Sequence, residues 1–152
     1  MGIWFRGLVL FLVTLLVLSI GVISLSEIAK SPEKNSPSDW IKESQINVYK
    51  DKVILDLNNP TWAKFTNTNS MDPFLDENSH AIEILPDRPE DVKVGDVISY
   101  GTRQGTIIHR VVEIGSDEEG VFYIVKGDNN ESVDLYKVRY DDLKGVVVAV
   151  IY

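Results

Sequence analysis

Four side chains between Ser70 and Asp134 are of types that together can cut an acyl bond. Ser70 stands in Thr68-Asn69-Ser70-Met71-Asp72-Pro73, and His109 in Ile107-Ile108-His109-Arg110-Val111-Val112. Asp128 stands in Lys126-Gly127-Asp128-Asn129-Asn130, with Asp134 six residues further on. A serine hydroxyl is a weak nucleophile at neutral pH and needs a base beside it. Histidine suits that role, since its ordinary pKa of about 6.5 leaves it mostly neutral. An aspartate on the other ring nitrogen fixes the tautomer and stabilises the imidazolium as it forms. Each cluster alone is weak. Serine before proline is common turn chemistry, a strand histidine is commonly structural, and GDNN is an ordinary turn signal. Only together do they point to a Ser-His-Asp hydrolase, and the residues alone leave open which aspartate partners His109.

The remaining composition removes competing chemistries. At 152 residues the chain is about one domain long. It has no cysteine, hence no thiol nucleophile, disulfide or cysteine metal site. Two histidines, His80 and His109, exclude a histidine-rich metal cage, and no metal or organic cofactor is expected. The net charge of −8, from 15 basic and 23 acidic residues, repels phosphate backbones and argues against nucleic-acid binding.

The elements that must position these residues divide into three segments, 1–26, 27–47 and 48–152. Gly7 to Leu25 is a run of 19 residues without a charge. As a helix it measures roughly 28 Å, close to the ~30 Å hydrocarbon core of a bilayer. It predicts a transmembrane anchor over 1–26. A cleaved signal peptide is the lesser alternative, because the run exceeds the h-region of about 7–15 residues. Arg6 and the α-amino group precede the span, while Glu27 and Lys30 cancel after it. That flanking charge puts the N-terminus in the cytoplasm and the rest outside the cell membrane. Residues 27–47 are polar, carry Pro32 and Pro37, and read as a linker. Trp40 and Ile41 within it are expected to touch the bilayer interface or the domain.

Residues 48–152 read as an extracytoplasmic, β-rich domain, partly closed into a barrel. Val48–Leu57, Trp62–Thr66, Ala81–Leu85, Val97–Tyr100, Thr106–Ile114, Val121–Lys126 and Gly145–Ile151 are β-branched, aromatic or alternating runs. Gly95-Asp96 and Gly127-Asp128-Asn129-Asn130 supply turn signals between them.

With these boxes in this order, the chain resembles the type I signal peptidases of the archaeal and endoplasmic-reticulum kind. That family shows SGSM-x-P, HRVV and KGDNN boxes, and here they read TNSMDP, HRVVEI and KGDNN. The intervals match as well: 39 residues from Ser70 to His109 and 19 from His109 to Asp128. The resemblance covers Trp62 to the C-terminus, plus the anchor by position. It implies a mostly β, signal-peptidase/LexA-like domain behind an N-terminal transmembrane helix. It implies a serine endopeptidase that removes signal peptides from translocated precursors, with Ser70 as nucleophile and His109 as base. Bacterial-type relatives carry lysine where this chain has His109.

The resemblance favours Asp134 as the partner of His109, with Asp128 shaping or supporting the loop. It places Thr68, Asn69 and Met71 around the oxyanion and substrate: Thr68 by its hydroxyl, Met71 either as a wall of a pocket for small residues or as a core filler. Signal peptides, membrane lipid and the translocation machinery are the implied partners. Substrate is expected along an exposed strand edge, with Trp62–Thr66 and Ala81–Leu85 as candidates. The chain departs from the family in having Thr68 for serine, Asn69 for glycine, and an acidic insert from Phe74 to His80. Asparagine tolerates left-handed backbone better than most residues. His80 is a rival base in a polar loop. Arg110, by strand alternation, points away from His109 and reads as structural.

Three other readings compete. A catalytically inactive, membrane-anchored binding module has no chemical need for all four residues. A LexA-like self-processing protease would use lysine as base. A purely structural surface protein leaves the three boxes unexplained.

Overall fold

A computed structural model describes residues 2–28 and 33–152 and divides the chain into two units, Met1–Lys34 and Asn35–Tyr152. The first unit holds one helix, α1 (Ile3–Ile28). Its described apolar side chains, Leu8 to Leu18, are exposed around the whole circumference. Among the described residues no helix is long and apolar enough to cross a membrane. The side chains of residues 20–28 lie outside the described set. The expected transmembrane anchor is therefore unsupported by the described residues.

The second unit is mostly β. Seven strands form one antiparallel sheet: β3 (Thr61–Lys64), β4 (His80–Ile84), β5 (Val97–Thr102), β6 (Gly105–Asp117), β7 (Gly120–Lys126), β8 (Val138–Arg139) and β9 (Leu143–Ile151). Their order across the sheet is β3-β4-β9-β5-β6-β7-β8. A separate hairpin pairs β1 (Ile46–Val48) with β2 (Val53–Leu55). Among the described residues β3 and β8 remain edges, so no strand pairing closes the expected barrel. The expected run Val48–Leu57 forms only this short, exposed hairpin, because its apolar residues have no second layer to cover them.

Alternation gives the sheet two apolar faces. One gathers Ile98, Tyr100, Val111, Tyr123, Val125 and Val146. The other gathers Met71, Leu75, Ala81, Val97 and Val147. The domain also begins earlier than the composition suggests. Ser38 N–H donates to Asp96 Oδ1 at 2.6 Å, and Trp40 packs against the first cluster. A Cβ on Gly95 would lie 2.2 Å from the Ser36 carbonyl oxygen. Residues 35–47 looked like linker because they lack periodicity; single anchors, rather than a repeating face, hold them.

Candidate active site

Ser70 sits in a turn between β3 and β4 that is held from beneath and from the side. Met71 and Leu75 are buried in the second cluster, and the Phe74 and Leu75 N–H groups donate to the Met71 carbonyl at 2.8 and 3.0 Å. Asn69 has φ 59°, a left-handed conformation that asparagine tolerates better than most residues. The Gly127–Asn130 turn latches onto this loop. Asn129 N–H donates to the Ser70 carbonyl at 2.9 Å, and Asn129 Nδ2 to the Asn69 carbonyl at 3.0 Å. Asp128 N–H points at Met71 Sδ, 3.3 Å away. Gly127 is obligatory here: a Cβ would stand 2.6 Å from the Ser70 carbonyl oxygen. Among the described residues the Ser70 N–H donates to no protein acceptor, so it is available to an oxyanion.

His109 lies on β6 opposite Ile98 of β5. It is buried, and its Nδ1 is 2.9 Å from both carboxylate oxygens of Asp134. In the neutral ring that contact favours the proton on Nδ1 and leaves Nε2 as an acceptor. Asp134 is steadied by its own N–H, which donates to the Val125 carbonyl at 2.9 Å. A third group joins the pair: Tyr100 OH donates to Asp134 Oδ2 and lies 3.4 Å from His109 Nδ1. Burial, followed by the adjacent carboxylate, pushes the Tyr100 hydroxyl above the ordinary tyrosine range, so it stays protonated. Tyr100 carried no motif signal. Register reveals it: Ile98 faces His109, and Tyr100 is the next residue on that face.

Asp128 has a different partner. Arg110 leaves β6 on the opposite face and grips it with two bonds, Nε to Oδ1 at 2.8 Å and Nη2 to Oδ2 at 2.7 Å. Arg110 Nη1 also donates to the Gly95 carbonyl at 2.7 Å, and its guanidinium lies 5.5 Å from the Phe74 ring centroid. Of the two candidate aspartates, Asp134 meets His109 and Asp128 ties the turn to β6.

Ser70, Thr68, Met71 and His109 line a single groove of about 700 Å³. Ser70 Oγ pairs with Thr68 Oγ1 at 3.2 Å and makes no hydrogen bond to His109. The structure thus brings Ser70 and His109 to one cleft without closing the contact between them. Such contacts often tighten only when substrate binds. Asn69 is not a lining residue; it shapes the loop through its backbone. His80 does not line the groove and stacks on Trp62 at 5.6 Å between ring centroids.

The groove runs between two strand edges. β3 pairs only with β4. β6 pairs with β5 from Gly105 to Arg110, but β7 joins it only from Arg110 onward. Residues 105–109 therefore have one edge without a strand partner among the described residues. The expected edge at Ala81–Leu85 is corrected: β4 is flanked by β3 and β9 and has no free side. The free edge of β6 is missing from the sequence reading because a strand's partner count is a tertiary property. The insert at 74–80 contributes Leu75 to the core and ends in a turn in which Ser79 Oγ accepts the Asp76 N–H at 3.1 Å.

Among the described residues no group of His, Asp or Glu could hold a metal ion. Comparison with protein-family models, with curated proteins and with solved structures finds no match.

Proposed function

We propose that the chain is a serine endopeptidase that removes N-terminal signal peptides from translocated precursors. The observation that carries this reading is that Ser70 and His109 line one groove while Asp134 occupies the far nitrogen of His109. Ser70 Oγ attacks the scissile carbonyl as His109 Nε2 takes its proton. The Ser70 N–H, with the Thr68 hydroxyl, receives the oxyanion; one such donor typically contributes about 10²–10³ in rate. His109 then protonates the leaving amine, and water reverses the sequence to release the acyl fragment. Substrate lies extended along the free edges of β3 and β6, whose main-chain groups supply binding without regard to side chain.

The reading includes a tether. Residues 7–25 anchor the chain in the cell membrane, N-terminus cytoplasmic, with the β domain outside. The exposed apolar circumference of α1 supports this, because a helix apolar all round needs an apolar surrounding. Holding the protease at the bilayer raises its effective concentration for cleavage sites emerging there.

The test is cleavage of a membrane-inserted precursor bearing an Ala-x-Ala site by wild type, Ser70→Ala and His109→Ala. Wild type alone should cut. A folded, inserted wild type that leaves several precursors intact would sink the peptidase reading in favour of a binding module.

A further inference from the structure

The groove has an unusual floor. Glu83 on β4 and Ser99 on β5 both line it, and both are buried, at 4% and 3% exposure. Register explains how they come together. Ser99 pairs with Gly145 of β9, and Glu83 with Val147, two residues along on the same face. Gly145 has no side chain to fill the space between them: a Cβ there would stand 2.8 Å from Glu83 Cβ and 3.3 Å from Oε2. The pair is thus laid across the intervening strand β9 by the absence of a side chain.

Neither Glu83 Oε1 nor Ser99 Oγ has a hydrogen-bond partner. Burial pushes the Glu83 carboxyl up, and the adjacent Ser99 hydroxyl pulls it only partly back. Buried polar groups are almost always paired, so two orphans side by side in a binding groove call for a partner from outside the chain. Charge narrows its class. Lys64 and Lys144 line the same groove, the second at a bulge opposite Ser99 and Tyr100, and both disfavour a basic guest.

We propose that Glu83 and Ser99 form a polar specificity subsite that selects substrates carrying a serine or threonine side chain, over alanine or valine, at the position above them. The proposal rests on the peptidase reading and deepens it. A guest hydroxyl donates to Glu83 Oε1 and accepts from Ser99 Oγ, satisfying both orphans at once. An apolar guest leaves them unpaired, and sites built to bond a hydroxyl discriminate strongly against its absence.

The experiment uses the full chain in detergent micelles and precursor peptides varied at each of the three positions before the scissile bond. At one position wild type should cut the threonine peptide about 10–100-fold more efficiently than its valine isostere. Glu83→Leu and Ser99→Ala should bring that ratio to about one. Glu83→Gln, which keeps size and hydrogen bonding, should retain most of the preference. An unchanged ratio in Glu83→Leu, or a wild-type preference for valine at all three positions, overturns the subsite. Binding of the same fluorescein-labelled peptides to Ser70→Ala, read by anisotropy, separates the two levels. Threonine-over-valine discrimination in binding without any wild-type turnover supports the subsite and sinks the peptidase reading. Equal binding, or none, overturns the subsite.

Discussion

Two acid–base pairs leave β6 from neighbouring residues, point to opposite faces and differ in what they can do. Arg110–Asp128 is bidentate, with side chains 9% and 6% exposed, and its cation keeps its charge at any working pH. His109–Asp134 is a single nitrogen before a carboxylate that Tyr100 also holds, and its base can give up and regain a proton. One pair joins loops: through Asp128 and Gly95 it fastens the Asn129 turn, which in turn holds the Ser70 carbonyl. The other turns an imidazole toward a groove. An aspartate near a cation is therefore no sign of catalysis by itself; what matters is whether the cation can lose its charge and faces a cleft.

The sharpest way to break this comparison is to remove each carboxylate's charge in turn. Asp134→Asn leaves a side chain of the same shape but no longer fixes the His109 tautomer. It should lower kcat by about 10³–10⁴ with the melting temperature nearly unchanged. A loss below tenfold in a correctly folded variant would remove Asp134 from the machinery. Arg110→Met should do the reverse. It takes both Arg110 bonds from the buried Asp128 and cuts the tie between its turn and β6, a loss that typically costs about 1.5–3 kcal/mol and should lower the melting temperature by roughly 5–10 °C. Measured at a temperature where the variant remains folded, its pH–rate profile should keep the wild-type shape. A changed shape with wild-type stability would show that the two pairs are not separable in this way.

The pairs were unequally legible in the sequence. Ser70, His109 and both aspartates stand out through short boxes whose order and spacing are one-dimensional facts. The choice between Asp128 and Asp134 is not one-dimensional. It depends on which face of β6 each neighbour takes, and strand alternation anticipates this for Arg110 but does not say which loop residue each side chain meets. Tyr100, Glu83 and Ser99 carry no motif at all and gain meaning only from register across β4, β9, β5 and β6. The strands at 81–85, 97–100, 106–114, 121–126 and 145–151 were legible because apolar and β-branched residues cluster there. The order of the strands, the unclosed sheet and the packed segment 35–47 were not, since they rest on pairings between residues far apart in the chain.

Tyr100 sharpens the comparison further, because it belongs to one pair only. Its hydroxyl is one of the groups that hold Asp134 in place, and Tyr100→Phe removes that hold. kcat should fall by about tenfold as the carboxylate loses one of its anchors. A fall in melting temperature with kcat unchanged in the folded variant would make Tyr100 a packing residue and not a positioning one.

The same hydroxyl yields the smallest effect, one of stability rather than rate. Tyr100 is held above the ordinary tyrosine range by burial and by Asp134, and Tyr123 is pushed up to about 12 by burial and then by Glu90. In the unfolded chain both ionise near pH 10. Above that pH the unfolded state has released protons that the folded state still holds, so stability is complete below pH 10 and falls as pH rises. Each tyrosine contributes a loss approaching ~1.4 kcal/mol for each pH unit above 10. Tyr100→Phe removes one of the two contributions and leaves the other. The drop in melting temperature between pH 9 and pH 11 should therefore shrink by about 5 °C in the variant, whatever its stability at neutral pH. Phenolate absorbance of the folded protein should rise only beyond the pH at which free tyrosine ionises. An identical alkaline drop in wild type and variant would mean that Tyr100 is open to solvent, and the Tyr100–Asp134 bond would lose its place in the site.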